Sequence, residues 1–141
     1  MKRFLGIYFF TLMTLLILDA LWLGIIAKDS YAKEMGSLLR EEFPTYPWVV
    51  FYLMYSFVIV CIVVKPNLEH QNAAARIACT GALLGLASYG AYNLTNYTVI
   101  RDWPLAISIV DWMWGVFVTA MSSLGGYYFY AKKAKQSIFK K

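Results

Sequence analysis

Two aspartates stand inside long apolar runs of the sequence, where charged side chains are rare. Of the 21 charged residues, only Asp19 in the first run and Asp111 in the last lie well inside such a run. Membrane-insertion scales assign roughly 2.5 to 3.5 kcal/mol to an aspartate at the centre of a spanning helix, so its presence there calls for an explanation. A carboxyl group in that position is by default a candidate for ligand binding, proton transfer or acid–base chemistry.

Aromatic and carboxamide side chains recur near both aspartates. Residues three or four positions apart share a helix face, as Trp22 does with Asp19. Tyr52 and Tyr55 fall at a similar depth in the second apolar run. We predict a polar, aromatic-walled pocket in the outer half of a helix bundle. Its ligand-binding or proton-linked residues are predicted to be Asp19, Trp22, Tyr89, Asn93, Asn96, Tyr97, Asp111, Trp112 and Trp114.

The composition indicates the solvent in which these helices lie. The 141 residues are 60% hydrophobic and 15% charged, against roughly 45–50% and 25% in ordinary soluble domains. A soluble domain of this length has too little interior to hide so many apolar side chains. The sequence therefore predicts an all-α membrane protein whose solvent is the lipid bilayer.

The apolar runs predict one integral membrane domain over residues 1–141, folded as a four-transmembrane-helix bundle. The predicted spans cover residues 4–27, 48–64, 73–97 and 104–130. Each is close to the roughly 17–25 residues that cross a bilayer. The short segment 98–103 makes the last two spans an antiparallel hairpin. Three aromatic residues near the span ends, Tyr46, Trp48 and Trp103, are expected to act as interfacial anchors.

The longer connection between the first two spans contains a helical pattern of its own. We predict a short amphipathic helix that lies on the outer surface and ends near Glu41, Glu42 and Pro44. Its apolar face is formed by Tyr31, Met35, Leu38 and Leu39.

The basic residues stand at the ends of the spans and predict the orientation. With both termini in the cytoplasm, the outer side carries Lys28, Lys33, Arg40 and Arg101. The inner side carries Lys2, Arg3, Lys65, Arg76, Lys132, Lys133, Lys135, Lys140 and Lys141. This excess of inner charge follows the positive-inside rule. The same placement argues against nucleic-acid binding, because the basic residues form no stripe.

The sequence offers few ligands for a metal or a haem. It contains one histidine, His70, and two cysteines, Cys61 and Cys79. Histidine clusters and thiolate sets are therefore excluded, and any metal would have to rely on oxygen ligands. We predict no metal and no cofactor.

Three motifs resemble an uncharacterised bacterial family of small membrane proteins, the domain of unknown function 2177. They are LDALWLG at residues 18–24, YGAYNLTNY at 89–97, and Trp103-Pro104 followed by DWMWG at 111–115. The resemblance covers nearly the whole chain, and its motifs coincide with the intramembrane polar residues. It implies a multi-pass protein of the bacterial cytoplasmic (inner) membrane, but it implies no activity.

Three functions are compatible with these residues. The favoured one is binding or transport of a small molecule or lipid, with Asp19 and Asp111 as ligand contacts or proton-linked groups; transport would require a homodimer. The second is a membrane enzyme that acts on a lipid or isoprenoid, with one aspartate as general base and the other, protonated, as general acid. The third is a structural or accessory subunit, in which the polar groups only hold helices together at about 0.6 kcal/mol per hydrogen bond.

Overall fold

A computed structural model describes residues 1–138, apart from the side chains of Ser37 and of residues 132–138, and every element in that part of the chain is helical. Helix α1 spans Lys2–Leu21 and continues as a π-helical segment over Trp22–Ile26. Helix α2 spans Lys28–Met35 and is followed by a 3-10 turn over Gly36–Leu38. Helix α3 spans Tyr46–Val58, continues as a π-helical segment over Ile59–Val64 and ends with Lys65–Asn67. Helices α4 and α5 span Ala73–Val99 and Leu105–Ile138.

Three of these helices are long and apolar enough to cross a membrane. They are Lys2–Ile26, Tyr46–Asn67 and Leu105–Ala131, close to the first, second and fourth predicted spans. The predicted third span coincides with α4, which is 27 residues long. Helix α4 is rich in Gly, Ala, Ser, Thr and Asn, and it does not reach the apolar content of the others. The protein is thus a helical membrane protein, and three helices of its described part are candidate spans by length and composition.

The surface is apolar and part of the interior is polar, the arrangement expected of helices in lipid. Large apolar side chains such as Phe9, Ile17 and Met113 are exposed. Among the buried side chains are the hydroxyl-bearing residues Thr11, Ser56, Thr119, Ser122 and Ser123. The last three donate hydrogen bonds to the carbonyl groups four residues earlier, each at 2.7 Å. These three hydroxyl groups of α5 are thereby satisfied within their own helix.

Helices α4 and α5 approach closely along a line of small residues. A β-carbon built on Gly85 would lie 2.9 Å from the carbonyl carbon of Gly115 and 2.9 Å from the Thr119 hydroxyl oxygen. One built on Gly81 would lie 2.7 Å from the Ser123 hydroxyl oxygen. This glycine pair therefore packs within the bundle, as the GxxxG spacing permits.

Helix α5 also packs on α1, and the bundle closes more tightly at one end than at the other. Gly125 and Gly126 of α5 face Thr14 and Thr11 of α1. The π-helical segment of α3 contacts α1, α4 and α5, whereas the half of α3 that begins at Tyr46 packs mainly on α1. A gap remains where that half of α3 stands apart from α4 and α5. We call this region, together with α2 and the turn between α4 and α5, the α2 end of the bundle.

Helix α2 differs from the predicted surface helix. It ends at Met35, so Leu38 and Leu39 no longer continue its face and are exposed. Tyr31 and Met35 instead turn towards the bundle, where Met35 is buried. The predicted apolar face required an unbroken α-helix through residue 39. Because the helix ends at Met35, it does not form the predicted four-residue apolar face. Instead, α2 covers the α2 end of the bundle.

The predicted antiparallel hairpin between α4 and α5 is present. Asp102 adopts a φ of 61° in the turn, a left-handed conformation that Asp and Asn tolerate better than most residues. The side chains of Lys132, Lys133 and Lys135, and residues Lys140 and Lys141, lie outside the described part of the chain. The orientation predicted from them remains a prediction.

Candidate functional site

A cavity of about 440 Å³ lies at the α2 end, with walls from all five helices. This is within the roughly 300–1,000 Å³ typical of ligand pockets. Nine of its 17 lining residues are aromatic and two are aspartates. Among the described residues that line it, none is Lys, Arg or His. The wall is thus mainly aromatic, with a small set of hydrogen-bonding groups.

Asp19 lies in this wall because it falls on the inward face of α1. The buried residues of that helix are Ile7, Thr11, Leu15 and Asp19, spaced at four-residue intervals. The carboxyl group of Asp19 is 5% exposed, and its Oδ1 accepts a hydrogen bond from the Trp114 indole at 2.7 Å. The hydroxyl of Tyr52 also interacts with this carboxyl group. Asp19 therefore links α1 to both α3 and α5.

Asp111 is the second carboxyl group in the wall, and it joins three helices. Its Oδ2 accepts a hydrogen bond from the Asn93 amide nitrogen at 2.7 Å, and its Oδ1 accepts one from the Tyr31 hydroxyl. Asn93 is 2% exposed and also donates to the Tyr89 carbonyl at 3.0 Å. These bonds fix the orientation of the Asp111 carboxyl group between α2 and α4.

Two tryptophans form a flat part of the wall. The rings of Trp22 and Trp114 stack with centroids 4.5 Å apart and an interplanar angle of 6°. Trp22 begins the π-helical segment of α1, in which its carbonyl accepts from the Ala27 amide at 2.7 Å. Such segments occur frequently at functional sites. The Trp22 indole N–H is buried in this wall and interacts with the Tyr31 hydroxyl.

A cluster of hydroxyl groups lies on the side of the cavity towards the centre of the bundle. The Tyr55 hydroxyl is 2.8 Å from the Ser88 hydroxyl oxygen and 2.9 Å from that of Thr119. Since Ser88 also lines the cavity, this cluster forms its floor. Each hydroxyl has a partner, so the floor is held by hydrogen bonds between α3, α4 and α5.

Six of the nine predicted site residues line the cavity: Asp19, Trp22, Tyr89, Asn93, Asp111 and Trp114. Trp112, Asn96 and Tyr97 do not. The Trp112 indole donates to the Leu86 carbonyl at 2.7 Å, and its ring covers Gly90. This follows from helix geometry, because a residue one position after Asp111 points about 100° away from it.

Asn96 and Tyr97 lie nearer the end of α4, beyond the cavity. Asn96 makes a side-chain contact with Tyr92, and Tyr97 is exposed. The sequence analysis missed Tyr31 and Tyr92 as wall residues, and it assigned Trp48 and Trp103 to the membrane interface although both line the cavity. The sequence did place Tyr31 on the apolar face of α2. That placement did not indicate which part of the protein the face covers.

Burial raises the pKa of the Tyr31 hydroxyl above its ordinary value, and the charge of neighbouring Asp111 raises this pKa further. The hydroxyl therefore stays protonated at neutral pH and remains a donor to Asp111. This bond joins the side chains of α2 and α5.

Tyr31→Phe is expected to loosen α2 while leaving the rest of the bundle intact. The variant keeps the ring but loses a hydrogen bond to a carboxyl group, which is worth about 1.5–3 kcal/mol when the acceptor is charged. Amide hydrogen exchange of residues 28–35 should become roughly tenfold faster or more, since about 1.4 kcal/mol corresponds to a factor of ten. The exposed Tyr46 provides the matched control, Tyr46→Phe. Equal exchange rates in both variants would refute the proposed link.

A second cavity, of about 870 Å³, lies at the opposite end of the bundle. Its charged residues, Arg3, Lys65 and Glu69, are all exposed. It lacks the hydrogen-bonded carboxyl groups of the first cavity, buried Asp19 and half-buried Asp111, so the first cavity is the better candidate site. Among residues 1–138, no group of three or more His, Cys, Asp or Glu side chains is placed to hold a metal ion.

Comparison with known proteins returns one result. A family model described as "Predicted membrane protein (DUF2177)" matches residues 4–128, which include every residue that lines the cavity. The comparisons with curated proteins and with solved structures give no significant match.

Proposed function

We propose that this chain, which belongs to the DUF2177 family of predicted membrane proteins, binds a small molecule or the head of a lipid in the cavity at the α2 end. One observation carries the proposal: two carboxyl groups, Asp19 and Asp111, are held in fixed orientations in the wall of an aromatic cavity of ligand size. Convergent polar groups in a mainly apolar pocket are the usual form of a small-molecule site.

A purely structural role accounts less well for this arrangement. The hydrogen bonds to Asp19 and Asp111 do hold helices together, as an accessory subunit would require. However, a structural interior is normally filled by side chains at close-packed density. Here the two carboxyl groups face a cavity of ligand size. A ligand would fill that space.

The proposal includes a membrane topology. We place α4 as a fourth span, because its 27 residues reach about 40 Å at 1.5 Å per residue and Gly81 and Gly85 seat it along α5. We propose that both termini are cytoplasmic in a bacterial inner membrane, on the positive-inside count. The α2 end then faces outwards, and the cavity receives its ligand from that side.

Transport would require the floor of the cavity to open. The hydrogen bonds of Tyr55 with Ser88 and Thr119 close the cavity towards the opposite end of the bundle. In this proposal, ligand binding therefore precedes any transport. A chain of this size would form a complete transport path across the membrane as a homodimer.

Mass spectrometry of small molecules that copurify with the protein tests the proposed binding. Asp111→Asn removes the charge while keeping an oxygen acceptor, and the exposed Asp102 provides the same change outside the cavity. We expect a molecule that is reproducibly present in the wild type and in Asp102→Asn. It should be reduced roughly tenfold or more in Asp111→Asn and Asp19→Asn, since a charged hydrogen bond is worth about 1.5–3 kcal/mol. Equal amounts of each copurifying molecule in all four proteins would contradict the proposal.

A further inference from the structure

The charges of the cavity are unbalanced. Asp19 and Asp111 both line this one cavity. The described residues that give them hydrogen bonds are neutral donors, namely Trp114, Tyr52, Tyr31 and Asn93. With no Lys, Arg or His among the described lining residues, the wall supplies no positive charge. A carboxylate that has been removed from water is normally paired with a positive charge. A cationic ligand would supply the partner that the wall lacks.

The aromatic wall, like the carboxylates, favours a positively charged ligand. The face of an aromatic ring carries a negative quadrupole and attracts cations, most strongly when they have been removed from water. Nine lining residues are aromatic, including the stacked Trp22 and Trp114 beside Asp19. An anion would be repelled by the carboxylates and by the ring faces, whereas a cation would be attracted by both.

We infer that the ligand of this cavity is an organic cation, whose ammonium group lies between the carboxylates of Asp19 and Asp111 and the aromatic wall. This inference rests on the proposed binding function and names its ligand class. A bare metal ion fits the cavity poorly. The cavity wall is mainly apolar, and the cavity is far larger than one ion requires. Quaternary ammonium groups, by contrast, are commonly bound in aromatic cages.

The ammonium group has two sources, a free molecule or the head of a lipid such as phosphatidylethanolamine. Both present the same charge to the carboxylates, and they differ in whether an acyl chain accompanies it. Reconstitution separates them: phosphatidylethanolamine in the bilayer should compete with a free cation only if the cavity accepts a lipid head.

Three molecules of nearly the same shape test the charge preference. Choline, 3,3-dimethylbutan-1-ol and 3,3-dimethylbutanoate carry one positive, no and one negative charge. Binding to the detergent-purified full-length protein is measured by tryptophan fluorescence, since Trp22 and Trp114 line the cavity. We expect choline to bind roughly tenfold or more tightly than the neutral alcohol, because the aromatic ring faces attract a cation strongly once it has been removed from water. The acid should not bind.

Charge-removing variants give the second arm of the test. In Asp19→Asn and Asp111→Asn the preference for choline over the alcohol should shrink at least severalfold, while Asp102→Asn should keep it. Equal binding of choline and the alcohol, or preferred binding of the acid, would overturn the cation assignment but leave a ligand site. If no probe binds and no molecule copurifies with the protein, both the assignment and the proposed function fail.

The lipid arm uses nanodiscs of phosphatidylglycerol with or without phosphatidylethanolamine. Weaker choline binding in the presence of phosphatidylethanolamine identifies a lipid head as a ligand. Unchanged binding identifies a free cation. Loss of choline binding in both kinds of nanodisc would count against the cation assignment in the membrane.

Discussion

Asp19→Ala is expected to lower the free energy of unfolding by about 1–3 kcal/mol, the cost of a buried polar group left without its partner. Alanine removes the acceptor of the Trp114 indole N–H, which donates to Asp19 Oδ1 at 2.7 Å. It also enlarges the cavity where the side chain is now only 5% exposed. Unfolding of the purified protein in mixed micelles, followed by circular dichroism, measures the change.

Asp19→Asn separates the charge of this residue from its hydrogen bond. Asparagine keeps an oxygen acceptor for Trp114 and removes a charge that is costly inside a membrane. We therefore expect its free energy of unfolding to be equal to that of the wild type or higher, although ligand binding is lost. A stability gain with a loss of binding is the expected sign of a site retained for function.

A purely structural role for Asp19 predicts a different result for these variants. If Asp19→Asn destabilised the protein as much as Asp19→Ala and left ligand binding unchanged, Asp19 would be a structural residue. Asp102→Ala, in the exposed turn between α4 and α5, controls for the general effect of replacing an aspartate. Its φ of 61° adds local strain for alanine, so Asp102→Asn should accompany it.

Gly85→Ala is expected to destabilise the bundle by about 1–3 kcal/mol, the usual cost of overpacking an interface. The new β-carbon would meet the backbone of Gly115 and the hydroxyl of Thr119, both 2.9 Å away. A backbone cannot rotate aside as a flexible side chain can, so α4 must move off α5. This cost exceeds the roughly 1 kcal/mol that alanine gains over glycine in a helix.

Gly24→Ala is the matched control for this prediction. Gly24 lies in the π-helical segment of α1, and a β-carbon there would meet no atom within 4 Å. We expect its free energy of unfolding to be unchanged or slightly higher. Thermal unfolding in detergent should therefore rank Gly24→Ala at or above the wild type and Gly85→Ala well below it. Equal midpoints for the two variants would contradict the close approach of α4 and α5.

The positions of the long helices were predictable because the pattern that indicates each helix lies within a single stretch of sequence. Apolar runs of spanning length, with basic residues at their ends, indicated α1, α3 and α5, and the structure agrees on all three. Helix α4 was also placed correctly, with a predicted extent of 73–97 against the observed Ala73–Val99. Its small and polar residues lower its mean hydropathy below that of the other long helices, because they serve contacts with α5 rather than with lipid.

Part of the cavity wall was also predictable. The cost of placing Asp19 and Asp111 in a membrane made them conspicuous, and helical spacing associated Trp22 with Asp19 and Tyr89 with Asn93. The same spacing favours Trp114 over Trp112, since a residue three positions after Asp111 shares its face and the next residue does not. Only Trp114 lines the cavity.

The sequence by itself determined the membrane environment, the long helices and the two carboxyl groups, because each depends on the free energy of single residues or single helices in lipid. The tertiary structure decided which partners those carboxyl groups have. Tyr31 reaches Asp111 across 80 positions of the chain, and Trp114 reaches Asp19 across 95. Such pairings depend on how the helices rotate and where α2 ends, and no periodicity within one helix encodes the position of its neighbour.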